Sequence, residues 1–189
     1  MQLRVTNPFD ATVVAEVPYD TPEQVEAKIA AAAATQARWR KTPLENRQHV
    51  VRAALERFRK MGEEVARDIS MQMGKPLAQA HGEVRTFFDR AEQALADAPT
   101  ALAPDVVEDS AEFSRRIVHE PLGIVFNLAA WNYPLLIPVN VIVPALLAGN
   151  VVLLKHSAKT PLTGRALAAA FDNADFPGLV ADLVLRRAD

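Results

Sequence analysis

The stretch Glu120–Lys155, EPLGIVFNLAAWNYPLLIPVNVIVPALLAGNVVLLK, is the part of the chain that most restricts its fold. Two apolar runs rich in β-branched residues, Gly123–Leu128 and Val151–Leu154, flank a connector of roughly twenty residues, a length that suits a crossover between parallel strands. The order reads as a buried strand, a crossover helix and a second, parallel strand. Just past the first run stand Trp131, Asn132, Tyr133 and Pro134. Open α/β sheets gather their chemistry outside the carboxyl ends of the strands, which makes Asn132 the leading candidate for a functional side chain.

The pieces WNYP, PALLAGN and LLK follow one another in one order at one spacing. In this the chain resembles the aldehyde dehydrogenase superfamily. The resemblance is most specific over Pro121–Pro161. It extends upstream through Trp39, the run Thr42–Arg47, the Met73-Gly74-Lys75-Pro76 turn and Gly82-Glu83-Val84. It implies an α/β fold: N-terminal helices followed by the first strands of a Rossmann-like parallel nucleotide-binding sheet, incomplete in this chain. Residues 1–189 then form part of an NAD(P)-binding domain, with a bridging hairpin near 104–119 that pairs subunits, and a homo-oligomer is expected.

Bulk properties narrow the classes. The chain is 189 residues long and half hydrophobic, enough for one domain with a core. A net charge of −2 gives no basis for a nucleic-acid or anionic-membrane partner. No signal peptide is expected, because Met1–Asp10 is polar. The apolar Gly123–Leu154 region is interrupted by Asn127, Asn132, Pro134, Pro138, Asn140, Pro144 and Asn150, so no transmembrane helix is expected and the cytoplasm is the default location. Cysteine is absent, which removes disulfides, thiolate metal sites and any thiol nucleophile. His49, His81, His119 and His156 have no metal-ligand spacing, and no metal is expected.

In chain order, a strand is expected over Thr12–Val17 after the Asn7–Asp10 turn. Thr21-Pro22-Glu23-Gln24 has the form of a capping box and opens an alanine-rich helix to about Trp39. Thr42-Pro43-Leu44-Glu45 repeats that signal and opens a second helix, with Val50, Val51, Ala54, Leu55 and Phe58 as its apolar stripe. Its basic residues Arg47, Arg52, Arg57, Arg59 and Lys60 read as a solvated face. A third helix covers Glu63–Met73 and stops at Gly74. A fourth covers Pro76–Ala98 and ends at Pro99, with Phe87, Phe88 and Leu95 inward. Gly82 within it suggests a close helix crossing. Pro104–Asp109 and Phe113–His119 read as an exposed extended pair. Beyond Lys155, Thr160-Pro161 starts another helix, Phe176-Pro177-Gly178 turns the chain, and Leu179–Leu185 reads as a strand. The three parallel-sheet runs are apolar enough to be buried on both faces.

An uncharged amide at a strand end can donate to a developing oxyanion, and it can equally be a turn asparagine satisfied by its own backbone. The resemblance assigns Asn132 the first role, toward the thiohemiacetal formed when a cysteine attacks an aldehyde. It assigns Lys155, Ser157 and Ala158 to the adenosine ribose, and Leu128, Ala129 and Trp131 to the nicotinamide half. Many NAD-preferring relatives carry a glutamate where this chain has Ala158. Without that carboxylate, and with Lys155, His156 and Lys159 adding positive potential, the cofactor is NAD or NADP with NADP favoured.

The resemblance also implies a cysteine nucleophile, a glutamate base and a glycine-containing turn, which this chain lacks. Arg186–Asp189 stands where the glycine pattern would continue. The expected function is therefore NAD(P)-dependent oxidation of an aldehyde to a carboxylic acid, with this chain truncated and inactive alone. The alternative is a non-catalytic nucleotide- or partner-binding remnant that pairs with a separate C-terminal half.

Overall fold

The computed structural model describes residues 1–186, and its elements follow from the sequence with a few instructive departures. The chain opens with a hairpin of β1 (Gln2–Thr6) and β2 (Val13–Pro18). β1 was not expected, yet Leu3 and Val5 alternate with polar residues and Val5 is buried. Four helices follow: α1 (Pro22–Trp39), α2 (Leu44–Lys60), α3 (Gly62–Met73) and α4 (Leu77–Ala101).

The start of α1 is the capping box that the sequence announces. Thr21 accepts from the Gln24 amide, and the Gln24 side chain accepts from the Thr21 amide. α2 departs from this expectation. Its N-cap is Pro43, with no side-chain cap, and the Thr42 hydroxyl instead donates back to the Arg38 carbonyl at 3.3 Å. Of the basic residues of α2, Arg52, Arg59 and Lys60 are exposed as a solvated face would be, whereas Arg57 Nε donates to the Ala170 carbonyl at 2.8 Å and Arg47 is half-buried, its Nε without a partner among the described residues. α3 ends at Gly74 in the left-handed conformation. α4 runs through Pro99 to Ala101, because a proline in the last turn removes only one amide donor. Among the described residues no helix crosses closely at Gly82, and a Cβ there would meet only the Arg85 guanidinium, at 3.7 Å.

β3 (Asp105–Asp109) and β4 (Ser114–Ile117) form an antiparallel, solvent-exposed hairpin. The parallel sheet then follows in the order β5 (Ile124–Leu128), β6 (Val151–Lys155) and β7 (Val180–Asp182). α5 (Leu136–Leu147) and α6 (Pro161–Ala170) are the crossovers. α5 is apolar nearly all round and accordingly buried over most of its surface. The expected strand Leu179–Leu185 is shorter, since only Val180–Asp182 pairs with β6. Of the Arg186–Asp189 ending, residues 187–189 lie outside the described residues.

The core joins the helices to the sheet. Trp39 is fully buried at the end of α1, and its indole N–H donates to the Leu146 carbonyl of α5 at 2.9 Å. Phe58 of α2 stacks within 4.7 Å of Phe87 of α4. β6 is buried on both faces from Val151 to Leu154. β5 is not: Asn127 faces inward, while Ile124, Phe126 and Leu128 leave one apolar face to solvent.

Candidate functional site

The site lies where β5 and β6 end together. Their register pairs Leu128 with Lys155, and the Ala129 amide donates to the Lys155 carbonyl at 3.1 Å, so the parallel ladder closes at its carboxyl edge. Beyond it both strands turn outward: one into Ala129–Leu135, the other into the turn Ser157–Thr160.

On the first turn, Ala129 is buried, while Trp131, Asn132 and Tyr133 are exposed. The Asn132 carboxamide makes no hydrogen bond to the described residues, so it is not a turn asparagine satisfied by its own backbone. Its main chain, by contrast, is fixed. Lys75 Nζ donates to the Asn132 carbonyl at 3.0 Å and stands 4.5 Å from the Tyr133 ring centroid. Lys75 also pairs with Glu83, and both side chains are almost fully buried. The other Glu83 oxygen accepts from the Leu135 and Leu136 amides at 2.9 and 3.3 Å, donors that the start of α5 would otherwise leave unpaired.

On the second turn, Lys155 is half-buried, and its ammonium has no hydrogen-bond or ion-pair partner among the described residues. The Ser157 hydroxyl accepts from the Lys159 amide at 3.2 Å, and Ala158 is exposed. Lys155, Ser157 and Ala158 line one narrow cleft. Trp131 and Ala158 line a second cavity of about 280 Å³, with Lys159 Nζ 4.3 Å above the Trp131 ring.

His156 corrects an expectation. It does not face the cleft as a cation. It is buried, its Nε2–H donates to the Pro134 carbonyl at 2.9 Å, and its Nδ1 accepts from the Thr160 hydroxyl at 3.1 Å. Burial pushes its pKa below the ordinary value of 6.5, which the Lys155 charge reinforces and the contact with Pro134 opposes. The imidazole is therefore neutral and ties the two turns together.

Thus Leu128, Ala129, Lys155, Ser157, Ala158 and Trp131 share one edge, and Asn132 stands beside them on a braced turn. A free ammonium, a hydroxyl and an exposed alanine at this edge suit the sugar and phosphate of a nucleotide. No cluster of three metal-ligating side chains occurs among the described residues. The braces Lys75, Glu83 and His156 escaped the sequence reading. The first two lie in the matched Met73–Pro76 and Gly82–Val84 pieces, but a lysine and a glutamate separated by a helix break do not declare themselves partners.

The chain matches the aldehyde dehydrogenase family over residues 1–189. It is 37% identical over 174 residues to the 3,6-anhydro-alpha-L-galactose dehydrogenase of Streptomyces coelicolor, covering 88% of this chain and 34% of that protein. It superposes with a TM-score of 0.87 and 26% identity on a betaine aldehyde dehydrogenase from Staphylococcus aureus in complex with NAD+, covering 97% of this chain and 38% of the other. An E. coli NADP-dependent enzyme superposes with a TM-score of 0.84 and 26% identity, with 97% and 38% covered. The chain spans about a third of the length of the curated relatives it matches. Its motifs, its parallel sheet and these likenesses agree: the chain belongs to the aldehyde dehydrogenase family and corresponds to the N-terminal part of its Rossmann-like fold.

Proposed function

We propose that this chain is the cofactor-binding and oxyanion-stabilising part of an NAD(P)-dependent aldehyde dehydrogenase. The observation that carries the reading is the shared carboxyl edge of β5 and β6, where Leu128 pairs with Lys155 and the Lys155 ammonium, unpaired among the described residues, lines one cleft with Ser157 and Ala158. Lys155 and Ser157 hold the adenosine ribose, while Leu128, Ala129 and Trp131 border the nicotinamide half. The bound cofactor accepts the electrons released when the aldehyde becomes a carboxylic acid. Asn132 offers its free carboxamide N–H to the aldehyde oxygen as negative charge develops there, on a main chain that cannot recoil because Lys75 holds its carbonyl.

Ala158 leaves room for a 2′-phosphate and puts no negative charge beside it. We take NADP to be accepted at least as well as NAD. The relatives named above, one an NADP-dependent enzyme and one bound to NAD+, support either cofactor. The exposed β3–β4 hairpin, with Val106, Val107, Phe113 and Ile117 in solvent, suits the bridging role between subunits of a homo-oligomer. The sequence contains no cysteine, so the nucleophile is not supplied by these residues.

A second reading is a non-catalytic nucleotide-binding module completed by a complementary chain. The solvent-facing Ile124, Phe126 and Leu128 favour it, because an apolar strand face calls for a cover. Both readings place the cofactor at the same edge. Amide chemical-shift mapping with NAD and with NADP tests this. Shifts gathered at Leu128, Ala129, Trp131 and Lys155–Ala158 support it; shifts scattered elsewhere, or none at saturating nucleotide, refute it.

A further inference from the structure

We propose that Lys75 and Glu83 are positioning residues for Asn132, holding it where its carboxamide can serve the oxyanion; the inference rests on the reading of Asn132 given above. A buried ion pair is weak evidence of a stabilising role, because desolvating two charges offsets their attraction. This pair is better explained by what it spans. Glu83 sits within α4 and caps the first amides of α5, Leu135 and Leu136, which has no side-chain cap of its own. Lys75 sits between α3 and α4, pairs with Glu83, and reaches 57 residues along the sequence to the Asn132 carbonyl. It also lies against the Tyr133 ring. The peptide unit that follows Asn132, the next ring and the next helix start are thus held by one pair of side chains. The Asn132 carboxamide itself has no partner among the described residues. A loop held for packing alone would not need its polar tip unpaired and its main chain braced.

The contacts divide the labour between the two residues. Without Lys75, Glu83 keeps the Leu135 and Leu136 amides, so α5 stays capped while Asn132 loses its brace. Without the Glu83 charge, both ends loosen.

The test uses the full chain, 15N-labelled, and reads the Asn132 and Tyr133 backbone amides together with backbone hydrogen exchange. In Lys75→Met, the backbone amide resonances of Asn132 and Tyr133, which flank the carbonyl that Lys75 holds, should broaden or move. Lys75→Met leaves the buried Glu83 carboxylate unpaired and destabilises the whole chain, so exchange is read relative to the core: Leu135 and Leu136 should accelerate no more than Val152 and Leu153 do. In Glu83→Gln, Leu135 and Leu136 should exchange faster by about tenfold or more, with the same loosening of Asn132. Unchanged Asn132 resonances in Lys75→Met would overturn the proposal. So would the same Asn132 change in a core variant such as Phe58→Leu that destabilises the chain as much, because the pair would then be serving overall stability. If Lys75→Met does not fold, Glu83→Gln decides by the same two criteria. Nucleotide titration of the parent chain keeps the two ideas apart. A braced Asn132 in a chain that binds no nucleotide sinks the cofactor reading alone, whereas nucleotide binding with Asn132 unmoved by Lys75→Met sinks the positioning role alone.

Discussion

His156 Nε2 lies 2.9 Å from the carbonyl oxygen of Pro134, so the residue after the last position of β6 is tied directly to the loop that carries Asn132. The same ring accepts from Thr160 at the start of α6. One neutral imidazole therefore couples the turn assigned to the nicotinamide with the turn assigned to the ribose.

That arrangement sets a pH dependence. Burial holds the folded pKa of His156 below the unfolded value near 6.5, with Lys155 also lowering it and Glu83 raising it. Between the depressed folded pKa and about 6.5 the unfolded chain binds the extra proton and the folded chain does not. Stability is therefore fully present above about 6.5 and falls as pH drops through that window, by up to about 1.4 kcal/mol per unit. Denaturant midpoints measured from pH 7.5 down to 5 should fall faster for the parent than for His156→Gln. Parallel pH profiles would show that His156 does not titrate as a buried neutral base.

Gly149 is a second point where one residue dictates its partner. It is the glycine of the PALLAGN motif, at φ +88°, and a Cβ there would overlap the Arg47 guanidinium. Gly149→Ala should cost about 1–3 kcal/mol, from strain and from displacing a half-buried cation. Urea denaturation measures this directly, and a loss below about 0.5 kcal/mol, the scale of an ordinary surface substitution, would show that Arg47 moves aside freely.

Much of this was legible in the sequence. The Thr21 capping box, the helical stripe of α2 and the β5–α5–β6 crossover all rest on local patterns that the structure keeps. What was not legible depends on partners far along the chain. Nothing near Lys75 announces that it will meet Asn132, and nothing near His156 announces Pro134. His156 read as adding positive potential near the cofactor, and only its burial shows that it is neutral. β5 read as doubly buried because its residues are apolar, but apolarity records what a strand can tolerate, and no described element covers the face that carries Ile124, Phe126 and Leu128. β1 was missed because a five-residue strand with two inward side chains sits inside a polar segment.

The proposed cofactor preference rests on Ala158. Introducing a carboxylate with Ala158→Glu should weaken NADP relative to NAD, because the new charge would repel a 2′-phosphate and could accept from the ribose hydroxyls. A change of about tenfold in the affinity ratio corresponds to the loss of one charge-assisted contact. Competitive titration of the two nucleotides gives the ratio, and an unchanged ratio removes Ala158 from the argument.

The chain by itself should not oxidise aldehydes. With no cysteine, no thiol attacks the carbonyl carbon, and the Asn132 amide has no developing oxyanion to meet. Purified chain should give no aldehyde-dependent NAD(P)H above an Asn132→Ala control, and a rate above that control would contradict this.

The most direct test of the central claim, that the β5–β6 edge holds the nucleotide, is calorimetric titration of NAD and NADP into the chain and into Lys155→Ala. The account predicts saturable binding of one nucleotide per chain, weakened about tenfold or more by Lys155→Ala, with the melting temperature without nucleotide unchanged because Lys155 has no partner to lose among the described residues. Binding of equal strength to both proteins would contradict it.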